Sequence, residues 1–272
     1  MYIHTVRMEV TMRFLVFLFF LLGMAGPVWS AGMGESSTHA GHGHGAGYQL
    51  LLATDPATVE AGKPVRLDLV LKDDFGSAVT ELEVVHEKKL HLFVIRQGLD
   101  VFAHLHPEMD AAGVMSMGLV FPVGGTYLVY ADFKPQNAEG MTLMAKVQVA
   151  GDAPAAPPLQ PHVPGRVQTA DLLADISVQK SYGRRQIGFT LSGLDGSPVA
   201  DLEPYLGAMG HLVVVSADGH TFVHAHPVTG AKPSEVVFDV HFPGPGVYKG
   251  WGQFQRSGKV HEVGFVVDVS GN

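Results

Sequence analysis

The chain has 272 residues, 46% of them hydrophobic and 16% charged, enough apolar material for two medium-sized domains. Its net charge of −8 leaves no basic surface to neutralise phosphates, which argues against nucleic-acid partners. Cysteine is absent, so thiolate zinc sites, iron–sulfur clusters and disulfides are excluded, and a metal would have to be held by His, Met, carboxylate or backbone groups.

Residues 1–30 read as a signal peptide. Arg7 and Arg13 give a positive start, Phe14 to Ala25 form an apolar run, and Val28-Trp29-Ser30 offers small residues at the two positions a signal peptidase reads. The run of 12 residues (Phe14 to Ala25) falls short of the roughly 20 that a bilayer span requires. The expectation is a periplasmic or secreted protein that touches the membrane only through this segment, if it stays uncleaved. Residues 31–47 are Gly-rich and carry His39, His42 and His44; they read as a flexible tail, either a loose metal-capture tract or a plain linker.

Residues 48–150 carry a series of short strands separated by turn signals, the profile of an antiparallel sandwich. Residues 151–168 hold Pro154, Pro157, Pro158, Pro161 and Pro164 and read as a semi-rigid linker. Residues 169–272 repeat the first domain. Phe121-Pro-Val-Gly-Gly-Thr-Tyr127 matches Phe242-Pro-Gly-Pro-Gly-Val-Tyr248, Tyr130 matches Trp251 and Phe133 matches Phe254. The expected fold is therefore all-β: two tandem immunoglobulin-like or cupredoxin-like antiparallel β-sandwiches after a signal peptide.

The repeat also carries histidine. His91 stands 13 residues before His104-Leu-His106-Pro107, and His211 stands 13 residues before His224-Ala-His226-Pro227. Alternate residues of a strand share a face, so each His-x-His pair points one way. A two-residue turn at Asp218-Gly219 would pair His211 with His226 and Val213 with His224, putting all three imidazoles on one side of a hairpin. The same count places a turn at Gly98-Leu99 and pairs His91 with His106, on a weaker turn signal. The expectation is one three-His metal site per domain: His91, His104 and His106 in the first, and His211, His224 and His226 in the second.

Further ligands are weaker. Met141 and His261 occupy equivalent positions near the start of the last strand, and His86 forms a His-x4-His with His91, while Leu206 is its counterpart. Met209 is another soft donor, with Lys89 opposite it in the repeat. Met115, Met117 and Met144 read as core or rim fillers.

Export, duplicated cysteine-free sandwiches and strand-borne histidines, above all the Gly210-His-Leu-Val-Val to Val223-His-Ala-His-Pro227 segment, make the chain similar to secreted bacterial immunoglobulin-like copper-handling domains of the YtkA-like and CopC-like group. The resemblance covers both repeats and implies metal binding and trafficking in the periplasm. The N-terminal copper site of CopC-like proteins is not carried over, because the tail here has no fixed place against the sandwich. The reading is a metal-binding protein for copper ion, with zinc as the other candidate, serving in buffering, delivery or resistance. The alternative is a non-catalytic interaction module for an envelope protein partner, with the His-x-His-Pro segments as structural hairpin ends. A metal-dependent enzyme ranks last, since no catalytic base or nucleophile is placed by the sequence.

Overall fold

The computed structural model describes residues 42–45, 47–181, 184–228 and 232–270; the segment read as a signal peptide and most of the expected tail, His39 included, lie outside the described residues. Every regular element among the described residues is a strand. The first sandwich contains β1 (His42–Gly45), β2 (Tyr48–Asp55), β3 (Val59–Glu60), β4 (Pro64–Asp73), β5 (Leu90–Arg96), β6 (Phe102–Leu105), β7 (Glu108–Met109), β8 (Val114–Val120), β9 (Gly125–Phe133) and β10 (Met141–Ala150). The second contains β11 (Gly165–Gln168), β12 (Leu172–Ser181), β13 (Arg184–Gly193), β14 (Leu202–Glu203), β15 (His211–Ser216), β16 (Phe222–Ala225), β17 (Pro227–Val228), β18 (Glu235–Val240), β19 (Val247–Arg256) and β20 (Lys259–Asp268).

Each sandwich has two sheets. In the first, β1-β2-β4-β8-β7 packs on β3-β10-β9-β5-β6. In the second, β11-β12-β13-β18-β17 packs on a sheet built around β16-β15-β19-β20, with β14 against the end of β19. Pairing is antiparallel between named strands except for the short β3–β10 contact. Two expected boundaries shift. Residues 42–45, expected in a flexible tail, pair with β2, and residues 165–168, expected in the linker, form β11 against β12. In both cases an open edge of the outer sheet gains main-chain partners.

The hairpin registers hold and one turn type does not. Val213 faces His224 and Val215 faces Phe222; Phe93 faces His104 and Ile95 faces Phe102. The last pairs before the turns are Ser216 with Thr221 and Arg96 with Val101, leaving four-residue loops. Gly219 and its counterpart Leu99 take left-handed φ values of 75° and 57°, whereas Asp218 does not take a positive φ. A two-residue turn with both central residues left-handed is therefore replaced by an ordinary bend closed by a left-handed residue.

Strand parity then decides where the histidines go. Leu90, Leu92 and Val94 enter the first core, so His91, Phe93 and Ile95 face away from it; Leu212 and Val214 enter the second core, so His211, Val213 and Val215 face away. Both outward faces are nevertheless buried, because the two sandwiches pack on each other through a third cluster: Phe93, Ile95, Leu99, Leu128 and Tyr130 from one, and Val213, Val215 and Trp251 from the other. Two rings cross the joint in matching ways. Phe102 stacks on Trp251 at 4.6 Å and Phe222 stacks on Tyr130 at 4.6 Å, and these pairs are exchanged by the repeat. Tyr130 Oη donates a buried hydrogen bond of 2.7 Å to the Gly219 carbonyl. A Cβ on Gly219 would lie 2.5 Å from Leu128 Cδ1, so this position needs glycine for its φ and for the close approach.

Candidate metal centre

The joint places both histidine sets in one cluster. Rather than one site per sandwich, the six imidazoles His91, His104, His106, His211, His224 and His226 form a single assembly across the interface, with matching ring separations in the two halves. His104–His106 and His224–His226 centroids are both 4.5 Å apart; His91–His106 and His211–His226 are both 5.0 Å apart. Across the joint, His91 lies 5.1 Å from His224. Among the described residues two sets of three offer nitrogens within 4.8 Å of one another: His211, His224 and His226, the set expected for the second sandwich, and His91, His104 and His224, in which His224 stands where His106 was expected. His224 belongs to both.

His106 and His226 stand where the chain leaves the inner sheet. Proline follows each, and the next short strands, β7 and β17, pair with the outer sheets instead. Proline lacks the N–H needed to continue a ladder, so the His-x-His-Pro sequence marks the corner at which the strand changes sheets.

The outer nitrogens of four rings are held by acceptors. His91 Nε2–H donates to the Val85 carbonyl at 3.0 Å and His211 Nε2–H to the Tyr205 carbonyl at 2.8 Å. His104 Nδ1–H donates to Gln253 Oε1 and His224 Nδ1–H to Asp132 Oδ2, both at 2.8 Å and both from one sandwich to the other. A neutral imidazole carries one N–H, so the remaining nitrogens of these four rings are bare lone pairs. Those lone pairs face one another: His91 Nδ1 and His104 Nε2 are 3.1 Å apart, and His211 Nδ1 and His224 Nε2 are 3.3 Å apart. His106 Nε2 adds a contact of 3.1 Å to His104 Nε2. Two facing lone pairs repel unless a cation stands between them. Nitrogens bound at about 2.0 Å to a tetrahedral ion are about 3.3 Å apart, which matches these separations.

Burial keeps the rings neutral. Loss of water lowers every one of the six, His211 to about 4 and His106 to about 3, with neighbouring imidazoles adding to the effect for His106. Burial also raises the Asp132 carboxyl to about 6, against a lowering by its Thr142 hydrogen bond and by His91. His226 Nε2 is buried without a hydrogen-bond partner, an orphan donor atom inside the cluster. Neutral, converging imidazoles backed by carbonyl, amide and carboxylate groups are the arrangement that orients histidine for a metal.

Of the weaker candidates, His86 joins the cluster from the first sandwich: its ring stacks on His226 with centroids 3.5 Å apart. The other two lie elsewhere. His261 meets Asp171 at 3.5 Å, and Met141 packs against the first core. Met115 is buried in that core and Met144 packs against the joint, as fillers. Asp132 and Gln253 are site residues that the sequence reading did not pick out. They were signalled by their places in the repeat, 121 positions apart, on buried strands directly opposite His91 and His211.

A family model described as "Domain of unknown function (DUF8832)" matches the chain twice, over residues 44–151 and 172–271. No curated protein matches it. Among solved structures, the Escherichia coli adhesin FdeC is 17% identical, with 82% of this chain and 64% of that chain covered and a TM-score of 0.28. Invasin, a bacterial integrin-binding protein, is 12% identical over 80% of this chain and 39% of its own, with a TM-score of 0.25. Salmonella alpha-2-macroglobulin is 12% identical over 86% of this chain and 15% of its own, with a TM-score of 0.28. The chain thus spans less than two thirds of each of these, and at such TM-scores none bears on function. The chain belongs to the DUF8832 family, with one copy of the domain in each sandwich.

Proposed function

We propose that this tandem member of the DUF8832 family is an exported metal-binding protein of the periplasm or cell exterior, whose two sandwiches jointly hold copper in one polyhistidine centre for buffering, delivery or resistance. The carrying observation is the pair of lone-pair contacts at 3.1 and 3.3 Å between imidazoles whose outer nitrogens are already satisfied. Imidazole accepts Cu(I), Cu(II) and Zn(II), and the groove that reaches the cluster carries a soft donor, the Met209 thioether, which selects copper on its way to the imidazoles. His91, His104 and His224, or His211, His224 and His226, would supply the first ligands. In this reading Asp132, Gln253 and the Val85 and Tyr205 carbonyls orient the rings, and the aromatic joint excludes water.

The test is metal analysis of mature protein purified without a histidine tag, followed by titration with Cu(I), Cu(II) and Zn(II). Uptake of one or two ions per chain with at least micromolar affinity, and a rise in Tm on loading, are expected. No uptake of any of the three ions would remove the proposal. In its place would stand the second reading, a non-catalytic interaction module for an envelope protein in which the imidazoles only pack the joint. That reading is favoured by Phe75, which is 93% exposed on the loop after β4.

A further inference from the structure

A groove opens onto the His226 end of the cluster. About 600 Å³ in volume, it runs from solvent to His226 and His86, with Met209 on its wall and Lys232 and Glu235 of opposite charge along it. Met209 is 39% exposed, while the His226 Nε2 at the inner end is buried and unpartnered. His86 reaches this end from a tight two-residue turn. Val85 and Lys88 exchange main-chain hydrogen bonds around it, and His86 and Glu87 hold φ values of 48° and 66°. The backbone adopts a left-handed conformation that costs a non-glycine residue energy, and the result is a seventh imidazole stacked on His226.

The repeat makes this end different from its mate. The counterpart of His86 is Leu206, in the same left-handed conformation at φ 51°, and the counterpart of Met209 is Lys89. Near His106, the mate of His226, the Lys88 ammonium stands close enough to oppose a positive charge on His91 and His106. One end of a near-symmetric cluster thus offers a thioether and an additional imidazole to a cation, with the Lys232 ammonium matched by the Glu235 carboxylate, and the other offers an ammonium group beside its imidazoles. Thioether with imidazole is a donor pair for Cu(I).

Resting on the metal reading above, we propose that the groove lined by Met209, His86 and His226 is the port through which Cu(I) enters and leaves the centre. Met209 and His86 are its landing ligands and His226 its inner gate. Met209 and His86 act on the path of the ion; His226, at the inner end of that path, and the other imidazoles retain it. The port sets the rate of loading and leaves the number of bound ions unchanged.

The experiment follows Cu(I) transfer from a chromogenic Cu(I) chelate to the mature full chain, by stopped-flow absorbance, with final stoichiometry from metal analysis. The variants are Met209→Leu, which keeps volume, and His86→Leu, which installs the residue its counterpart already carries at the same φ. Lys89→Ala at the opposite end is the control, and far-UV circular dichroism checks the fold. The expected result is an initial uptake rate at least tenfold lower in both port variants, with wild-type stoichiometry and a wild-type rate in the control. A wild-type rate in either port variant overturns the port while leaving the metal reading intact. A lower stoichiometry in either variant also overturns it, because the residue then holds the ion at equilibrium. No uptake of Cu(I) by the wild type overturns the port, and it overturns the metal reading too when Cu(II) and Zn(II) are likewise not bound.

Discussion

His104 and His224 occupy the same position in the two sandwiches, yet their outer nitrogens meet different groups: the neutral amide of Gln253 for one, the carboxylate of Asp132 for the other. The rings, their partners in sequence and their distances are otherwise close copies. An amide oxygen fixes a ring's tautomer and orientation; a carboxylate does this and also makes the ring a stronger donor. The duplicated half-sites are therefore alike in shape and unlike in donor strength. His224, which belongs to both sets of converging nitrogens, is the ring backed by the charge.

The comparison breaks most visibly at His224. His224→Ala removes a donor from both sets and is expected to lower copper affinity by at least a hundredfold. His106→Ala, which belongs to neither set and only borders the first through His104, should cost no more than about tenfold; equal losses would show that the halves act independently. Competition titrations against a chelator of known affinity give both numbers. Next in size is the joint itself. Gly219→Ala meets Leu128 and a left-handed φ, and is expected to cost about 2–3 kcal/mol in denaturant unfolding with a matching fall in metal affinity. An unchanged midpoint would mean that the sandwiches do not depend on this contact.

Exchange of the backing groups sharpens the same point. Asp132→Asn should weaken copper binding by about 10- to 100-fold, and Gln253→Glu should recover part of that loss in the double variant. If Asp132→Asn binds as the wild type does, the charge behind His224 has no part in donor strength.

The smallest effect is on pH. Unfolded imidazoles take up protons below about pH 6.5, whereas folded His211 resists until about 4 and His106 until about 3. Asp132, raised to about 6, and Glu262, raised to about 7, take up protons earlier in the folded chain and offset part of this, but the six depressed imidazoles outnumber them, so the unfolded chain binds more protons in that window and stability falls as pH drops from 6.5 toward 4. For the fully buried His211 alone the slope is at most roughly 1.4 kcal/mol per pH unit. A Tm series without metal from pH 7.5 to 4.5 should decline below 6.5, and a flat series would speak against buried neutral rings.

Much of this was legible in the sequence. The 13-residue spacing specified hairpins whose register places Val213 opposite His224 and Phe93 opposite His104. What escaped was that the hairpins face each other. Docking of the two sheets depends on Phe102 with Trp251 and on Tyr130 with Phe222, contacts between residues roughly 90 to 150 positions apart that no local pattern encodes. A signal was nonetheless present. All seven residues of Leu90–Arg96 are buried, and the segment is apolar without the alternation that a half-solvated sheet produces. Strands covered on both faces need a second partner, and the repeat supplied one. The Asp-Gly signal marked the place of the turn and not its type: Ser216 and Asp218 tie a four-residue loop together locally, and Leu128 and Tyr130 of the other sandwich pack against Gly219.

The connection between the sandwiches is tied down at both ends. Arg96, buried in the first, donates from Nη2 to the Pro154 carbonyl and from Nη1 to Asp100; the His162 amide donates to the Val266 carbonyl of the second. Only residues 155–161 span the gap, and three of them are proline. The second set of imidazoles is thus presented to the first at an effective concentration in the millimolar range or above, independent of how dilute the protein is. On the copper proposal, an ion bridging the two halves would join ligands already assembled, as a chelate does, and its hold would be set by the chain's own connectivity as much as by its nitrogen donors.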